Sequence, residues 1–221
     1  MPRANLPSSV PVCGRYSFFL RPEEVRDLAG SAPEPFPEPV YNQPPGVPVT
    51  LLDGGEGWRR LPWGTEVPVG EGKRRLVINA RSETAGTKRT FRDGFGRRRC
   101  VLPASGFFEW RRGSGPSRPF FFRPRSGPGI LLAGLLVGNG EGTVAVVLTR
   151  EGDDWMKEIH HRAPVLVRPD RLGDWLDPDR EGADALREAS FGTESGVLDR
   201  HPVSPRVNKV RENDPDLLAP V

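Results

Sequence analysis

"GILLAGLLVGNGEGTVAVVLTR" occupies residues 129–150 and consists of two apolar runs around Gly138, Gly140 and Gly142. A bilayer-spanning helix needs about 20 apolar residues, and neither run is that long. Short apolar runs bounded by glycine turns read as buried β-strands. "PFFFRP" (119–124), just upstream, reads the same way, so three consecutive strands are expected here.

Outward from this centre the pattern repeats. "GRYSFFL" (14–20), "VPVTLL" (47–52), "EGWRRLPWG" (56–64), "KRRLVINARSET" (73–84), "RCVLPASGFFEW" (99–110) and "APVLV" (163–167) all read as strands or strand pairs. "RPEEVRDLAG" (21–30) has a proline at the start, acids in the first turn and a glycine stop, the marks of a short helix. "RTFRDGFGRR" (89–98), "DDWMKEIHHR" (153–162), "RPDRLGDWLD" (168–177) and "GADALREAS" (182–190) read as further short helices or turns. Many strands with few helices predict an α+β single domain, with an antiparallel sheet or barrel-like core and a few flanking short helices. The domain is expected over residues 13–210. Residues 1–12 are read as a disordered extension, a mis-assigned start or a segment removed from the working protein. The proline-rich stretch 31–46 reads as extended loop, and residues 211–221 as a partly ordered tail.

Composition bounds the function. Two cysteines, Cys13 and Cys100, make no disulfide framework and sit in no metal-ligand spacing. Residues 1–12 contain no apolar core of the kind a signal peptide needs, so the protein is read as cytoplasmic, without membrane attachment, metal or cofactor. The formal charge is only +3, but just four of the 32 basic residues are lysines. Arginine suits bidentate phosphate contacts and base stacking. A GC-rich genome, whose codons favour Arg, Gly, Pro and Ala, produces the same excess.

Several polar residues stand in apolar surroundings. Glu109 lies between Phe108 and Trp110, a setting that raises a carboxyl pKa by desolvation and suits an acid–base role. Asn79 ends an apolar run in "LVINARSET", and His160 and His161 lie between a helix and a buried-looking strand. Each alone is as well read as a surface, turn or core residue. Cys100, after "RRR", reads as a buried structural thiol.

Taken together and in order, "CGRYS", "YNQPPG", "LPWG", "INARSET", "FRDGFGRRRCVLPASGFFEW", "LAGLL", "VLTR", "IHHRAPVLV" and "HPVS…VN" resemble the SRAP family, the SOS-response-associated peptidases or abasic-site processing proteins. The resemblance spans about residues 13–208. It implies that Cys13, as a mature N-terminal residue, bonds covalently to an abasic site in single-stranded DNA, closing a thiazolidine ring. It places the family's catalytic residues at Cys13, Asn79, Glu109 and His160. It matches Arg15 and Arg81 to DNA-contacting arginines. The usual split of single-strand binding between charge and stacking adds Arg89, Arg92 and Arg97–Arg99 as phosphate candidates and Pro45, Trp63 and Trp110 as base platforms, and Asn42, Ser82 and Thr149 complete the expected DNA contacts. A monomer that associates with the nucleoid on DNA damage, with AP lyase and self-processing peptidase activity, follows from the same resemblance. A cysteine peptidase with other substrates and a non-covalent single-strand-binding module are the alternatives. Three departures from the family pattern stand out: twelve residues precede Cys13, Val69 stands near the place of a second tryptophan, and Ala163 replaces a usual Met.

Overall fold

The computed structural model of the chain describes residues 13–113, 115–140 and 142–221. In chain order come β1 (Tyr16–Phe18), α1 (Pro22–Ala29), β2 (Val40–Gln43), β3 (Pro48–Asp53), β4 (Gly57–Pro62), β5 (Thr65–Gly70), β6 (Lys73–Val77) and β7 (Asn79–Arg81). Next are α2 (Ser82–Ala85), α3 (Arg92–Arg97), β8 (Arg99–Ala104), β9 (Gly106–Arg111), β10 (Arg118–Pro124), β11 (Ile130–Gly138) and β12 (Thr143–Glu151). The last are α4 (Asp154–Lys157), β13 (Arg162–Pro164), β14 (Leu166–Val167), α5 (Leu172–Leu176), α6 (Gly182–Ala189), β15 (Ser190–Phe191) and β16 (Leu198–Pro202).

The stretch 129–150 forms the antiparallel pair β11–β12 at the centre of the larger sheet, whose order is β13-β12-β11-β8-β3-β4 with β7, β14 and β15 attached. Both β8 and β11 are buried almost end to end, which is why they read as continuous apolar runs rather than alternating ones. Gly134 lets the two strands approach, because a Cβ there would meet Cys100 Sγ at 2.7 Å. The smaller sheet has the order β16-β10-β9-β1-β2, and β5–β6 is a separate hairpin. Among the described residues no sheet closes into a barrel, so the expected sheet-or-barrel core is a set of open sheets. One pair departs from the antiparallel rule: β7 runs parallel to β12, with Val147 beside Asn79 and Thr149 beside Arg81.

The main core fills the space between the two larger sheets, with Phe107 and Phe122 from one side and Leu102, Leu132 and Val147 from the other. The rings of Phe107 and Phe122 stack at 4.9 Å. On the outer face of the smaller sheet Phe108, Trp110 and Phe121 meet Val203, Val207 and Leu217 from the C-terminal segment.

Three sequence expectations are corrected. The proline-rich stretch contains β2, which pairs with β1 at the sheet edge, where prolines are tolerated. Residues 211–221 are a docked segment, because Leu217 is fully buried and Asn213 Oδ1 accepts the Tyr41 and Asn42 N–H groups. The helix expected over 153–162 stops at Lys157: Asp153 caps it at Met156, and His160 falls in the turn that follows. The disordered reading of residues 1–12 lies outside the described residues.

Candidate active site

β9 begins at Gly106, where a Cβ would meet Phe122 O at 2.3 Å and the Phe121 ring at 2.5 Å. Only glycine permits that close approach, and it sets the register of everything after it. Side chains alternate along a strand, so Glu109 shares the face of Phe107 toward the main core, while Phe108 and Trp110 face the outer cluster. β1 pairs with β9, and Phe108 N–H donates to Arg15 O, which brings the start of β1 beside Glu109. There the Cys13 backbone N–H donates to Glu109 Oε1 at 2.5 Å. Both residues are buried. Cys13 has φ +44, a left-handed backbone that is uncommon for a side-chain-bearing residue and is held here by its neighbours.

Burial pushes the Glu109 carboxyl up to about 8, against the Cys13 and Trp110 N–H groups and the charge of Arg112, which pull it down. Near neutral pH the group is thus mostly protonated, and its carboxylate becomes abundant as pH rises toward 8. Burial, reinforced by Glu109, also raises the Cys13 thiol well above its ordinary value. The resting thiol is therefore protonated, and its proton must be taken when sulfur attacks.

His160 is half-buried, and desolvation lowers its pKa. Its Nδ1 lies 3.1 Å from the Arg162 N–H, which donates to it. The charge of Arg112 lowers the pKa of both Glu109 and His160. Asn79 opens β7. The residue before it, Ile78, accepts a hydrogen bond from Trp63 Nε1, and Trp63 packs on Tyr16 of β1 with ring centroids 5.5 Å apart. Among the described residues no three His, Cys, Asp or Glu side chains converge as a metal shell requires.

The expected DNA contacts divide by burial. Arg81 and Arg92 are exposed, and Pro45 and Ser82 are partly so. Arg92 sits on α3, a helix packed on β8, β11 and α6. Arg15, Asn42, Trp63, Trp110 and Thr149 are buried and serve internal bonds instead. Arg15 donates to Asn42 Oδ1 and Val207 O, and Asn42 donates to the Val207, Lys209 and Glu212 carbonyls. Trp110 Nε1 donates to Asn208 Oδ1 at 2.7 Å, and Thr149 Oγ1 to Ala80 O at 3.2 Å. Trp63, in the main core, and Trp110, in the outer cluster, are thus buried packing residues rather than open stacking platforms. Within Arg97–Arg99, Arg99 is buried and donates to the carbonyls of Phe95, Gly96, Trp175, Asp177 and Arg180, so it clamps the fold. Arg98 bonds Thr143 Oγ1, which leaves Arg97 as the exposed member of the run. Cys100 is buried, as its apolar setting suggested.

Sequence reading noted Glu83 as a polar residue after an apolar run but gave it no role, and it passed over Arg112 and Arg162. The signal for Arg162 was present, as a lone cation between "IHH" and the buried-looking strand "APVLV".

The family model for the SOS response associated peptidase (SRAP) matches residues 12–210. The chain belongs to the SRAP family. Family relatives align along nearly the whole chain. Abasic site processing protein YedK of Escherichia coli is 29% identical over 95% of this chain and 100% of its own length. Abasic site processing protein YoqW of Bacillus subtilis is 28% identical over 94% and 99%. A protein from Bacteroides thetaiotaomicron has a crystal structure that superposes with TM-score 0.79 at 18% identity, covering 95% of this chain and 100% of that one. A phage-related protein from Bordetella bronchiseptica superposes with TM-score 0.69 at 27% identity over 86% and 94%.

Proposed function

We propose that this SRAP protein processes abasic sites by capturing them covalently on Cys13 in single-stranded DNA, acting as a monomer in the DNA-damage response. The observation that carries the reading is the Cys13 nitrogen held on the buried Glu109 carboxyl at 2.5 Å. The names of the SRAP relatives support the substrate.

The chemistry needs a free Cys13 α-amine, because an amide nitrogen cannot form a Schiff base. The abasic sugar equilibrates with its open aldehyde, and His160 is suited to hydrogen-bonding the sugar oxygen as the ring opens. The amine attacks the aldehyde carbon, as amine nucleophiles do. Glu109, poised near pH 8, takes the proton released by nitrogen and returns it to the departing hydroxyl, which leaves as water. Sulfur then adds to the imine carbon, and its proton passes to nitrogen, closing the thiazolidine. Holding amine and thiol on one residue gives a large proximity advantage. Asn79 is suited to a hydrogen bond with the sugar hydroxyl. The Schiff base also acidifies the adjacent carbon, so some AP lyase activity accompanies capture. The working protein in this reading has Cys13 as its first residue, which supplies the amine.

Incubating protein that begins at Cys13 with a uracil-excised single strand should give a heat-stable adduct whose intact mass is protein plus DNA minus one water. Cys13→Ser should lose it. An equally stable adduct from Cys13→Ser, or from chains that retain residues 1–12, sinks the mechanism. Binding without any adduct identifies a non-covalent single-strand module.

A further inference from the structure

Glu83 and Arg162 form a fork that spans the site. Arg162 Nη1 meets Glu83 Oε1 at 2.6 Å, and Nη2 meets Oε2 at 3.0 Å. The same Nη2 donates to Thr149 O at 2.7 Å and lies 3.2 Å from Thr149 Oγ1. Glu83 Oε1 also accepts the Glu151 N–H at 3.0 Å. Glu83 stands in α2, directly after the strand that carries Asn79. Arg162 opens β13, directly after the turn that carries His160. Paired hydrogen bonds of this kind fix orientation as well as distance. The fork therefore ties the Asn79 strand and the His160 turn to one another through β12.

The Arg162 peptide is the neighbour of the His160 ring. Its N–H lies 3.1 Å from Nδ1 and its carbonyl 3.2 Å from the same atom. A backbone N–H can only donate, so in the neutral ring Nδ1 accepts and the proton sits on Nε2. If the ring takes a second proton, Nδ1–H can donate to the Arg162 carbonyl, which belongs to the following peptide. The Arg162 backbone thus offers a partner to each charge state. The charged or titratable groups acting on His160 are His161, whose ring centroid is 4.5 Å away, with Arg112 and Arg162.

We propose that Glu83 is a positioning residue: by clamping Arg162 against Thr149 it holds the peptide that sets the His160 tautomer. The consequence for rate rests on the capture reading above; the consequence for the ring does not. Supporting it, Arg162 holds the Glu83 carboxyl down to about 2, so the fork stays charged throughout the range in which histidine titrates.

The test is Glu83→Gln in protein that begins at Cys13, read by two-bond imidazole 15N spectra between about pH 5 and pH 8. Wild type is expected to show a single neutral form with the proton on Nε2. Glu83→Gln is expected to mix the tautomers and to lower the His160 midpoint, because Arg162 keeps its charge and loses its counter-ion. Capture at saturating strand should slow about tenfold, the scale set by a small misplacement of a reacting group, with strand affinity not reduced. Glu83→Asp keeps the charge on a shorter stem and should retain the Nε2 form with a smaller loss of rate, which separates positioning from misfolding. His160 signals and rates within twofold of wild type in Glu83→Gln overturn the proposal. If wild type captures no abasic DNA while the spectra change as described, the capture reading fails and the positioning role stands.

Discussion

Glu109 shows how a single residue trades stability for chemistry. The folded chain holds its proton to about pH 8, whereas an unfolded glutamate releases it near 4.5. Between those values the folded state binds more protons, so stability present at low pH is lost as pH rises through that window. Glu109→Gln keeps the shape and removes the ionisation. In the 221-residue chain its Tm should match wild type near pH 4.5 and exceed it by on the order of 5 °C above pH 8. Melting curves of both proteins across this range check it, and a constant difference at all pH values would show that the carboxyl is not desolvated. In protein beginning at Cys13 the same variant should slow capture by on the order of 10²-fold, because amide cannot shuttle a proton. The raised pKa was legible from Glu109's aromatic neighbours. The protonated Cys13 thiol was not, because it depends on burial by residues distant in sequence.

The C-terminal segment shows why elements are harder to read than residues. Residues 211–221 contain two prolines and three acids and carry no periodicity of their own. The structure nevertheless seats Leu217 against Phe108, Trp110 and Phe121, and fixes Asn213 to the edge strand β2. Asn42, on that strand, in turn holds the Val207, Lys209 and Glu212 carbonyls and the Arg15 guanidinium two residues from Cys13. Ending the chain after residue 210 should cost about 2–4 kcal/mol, combining one fully buried leucine with lost hydrogen bonds. Urea unfolding and dye binding to the exposed outer face of β9 and β10 measure this, and an unchanged midpoint would mean that the segment only covers the sheet. The helix expected over 153–162 failed for a related reason. Its N-cap was readable at Asp153, but its end was set by the bond between the His160 ring and the Arg162 peptide.

Across the whole molecule, charge and topology decide what DNA can meet. A formal charge of +3 spread over many arginines says little about binding until burial removes those used internally. Arg15 and Arg99 are spent on carbonyls and on Asn42, whereas Arg81 is exposed two residues beyond Asn79. Each phosphate contact on a single strand contributes a slope of about 0.7 to the salt dependence of affinity. Arg81→Ala should therefore flatten the slope by about 0.7 on undamaged single strands. Fluorescence titrations over a range of salt concentrations report this, and an unchanged slope would take Arg81 off the strand path.

The sequence by itself determined the strands of 129–150, the single α+β domain and, through its ordered motifs, the SRAP resemblance and the four residues proposed for catalysis. These are legible because apolar runs, glycine turns and short motifs are local, and local pattern follows directly from residue order. Only the tertiary structure decided which arginines face solvent, that Trp63 and Trp110 are buried, and that β7 lies parallel to β12. It alone joined Cys13 to Glu109 across 96 positions and Arg162 to Glu83 across 79. Burial and partnership belong to pairs of residues brought together by sheet order, and the composition of neither partner's own segment contains the other.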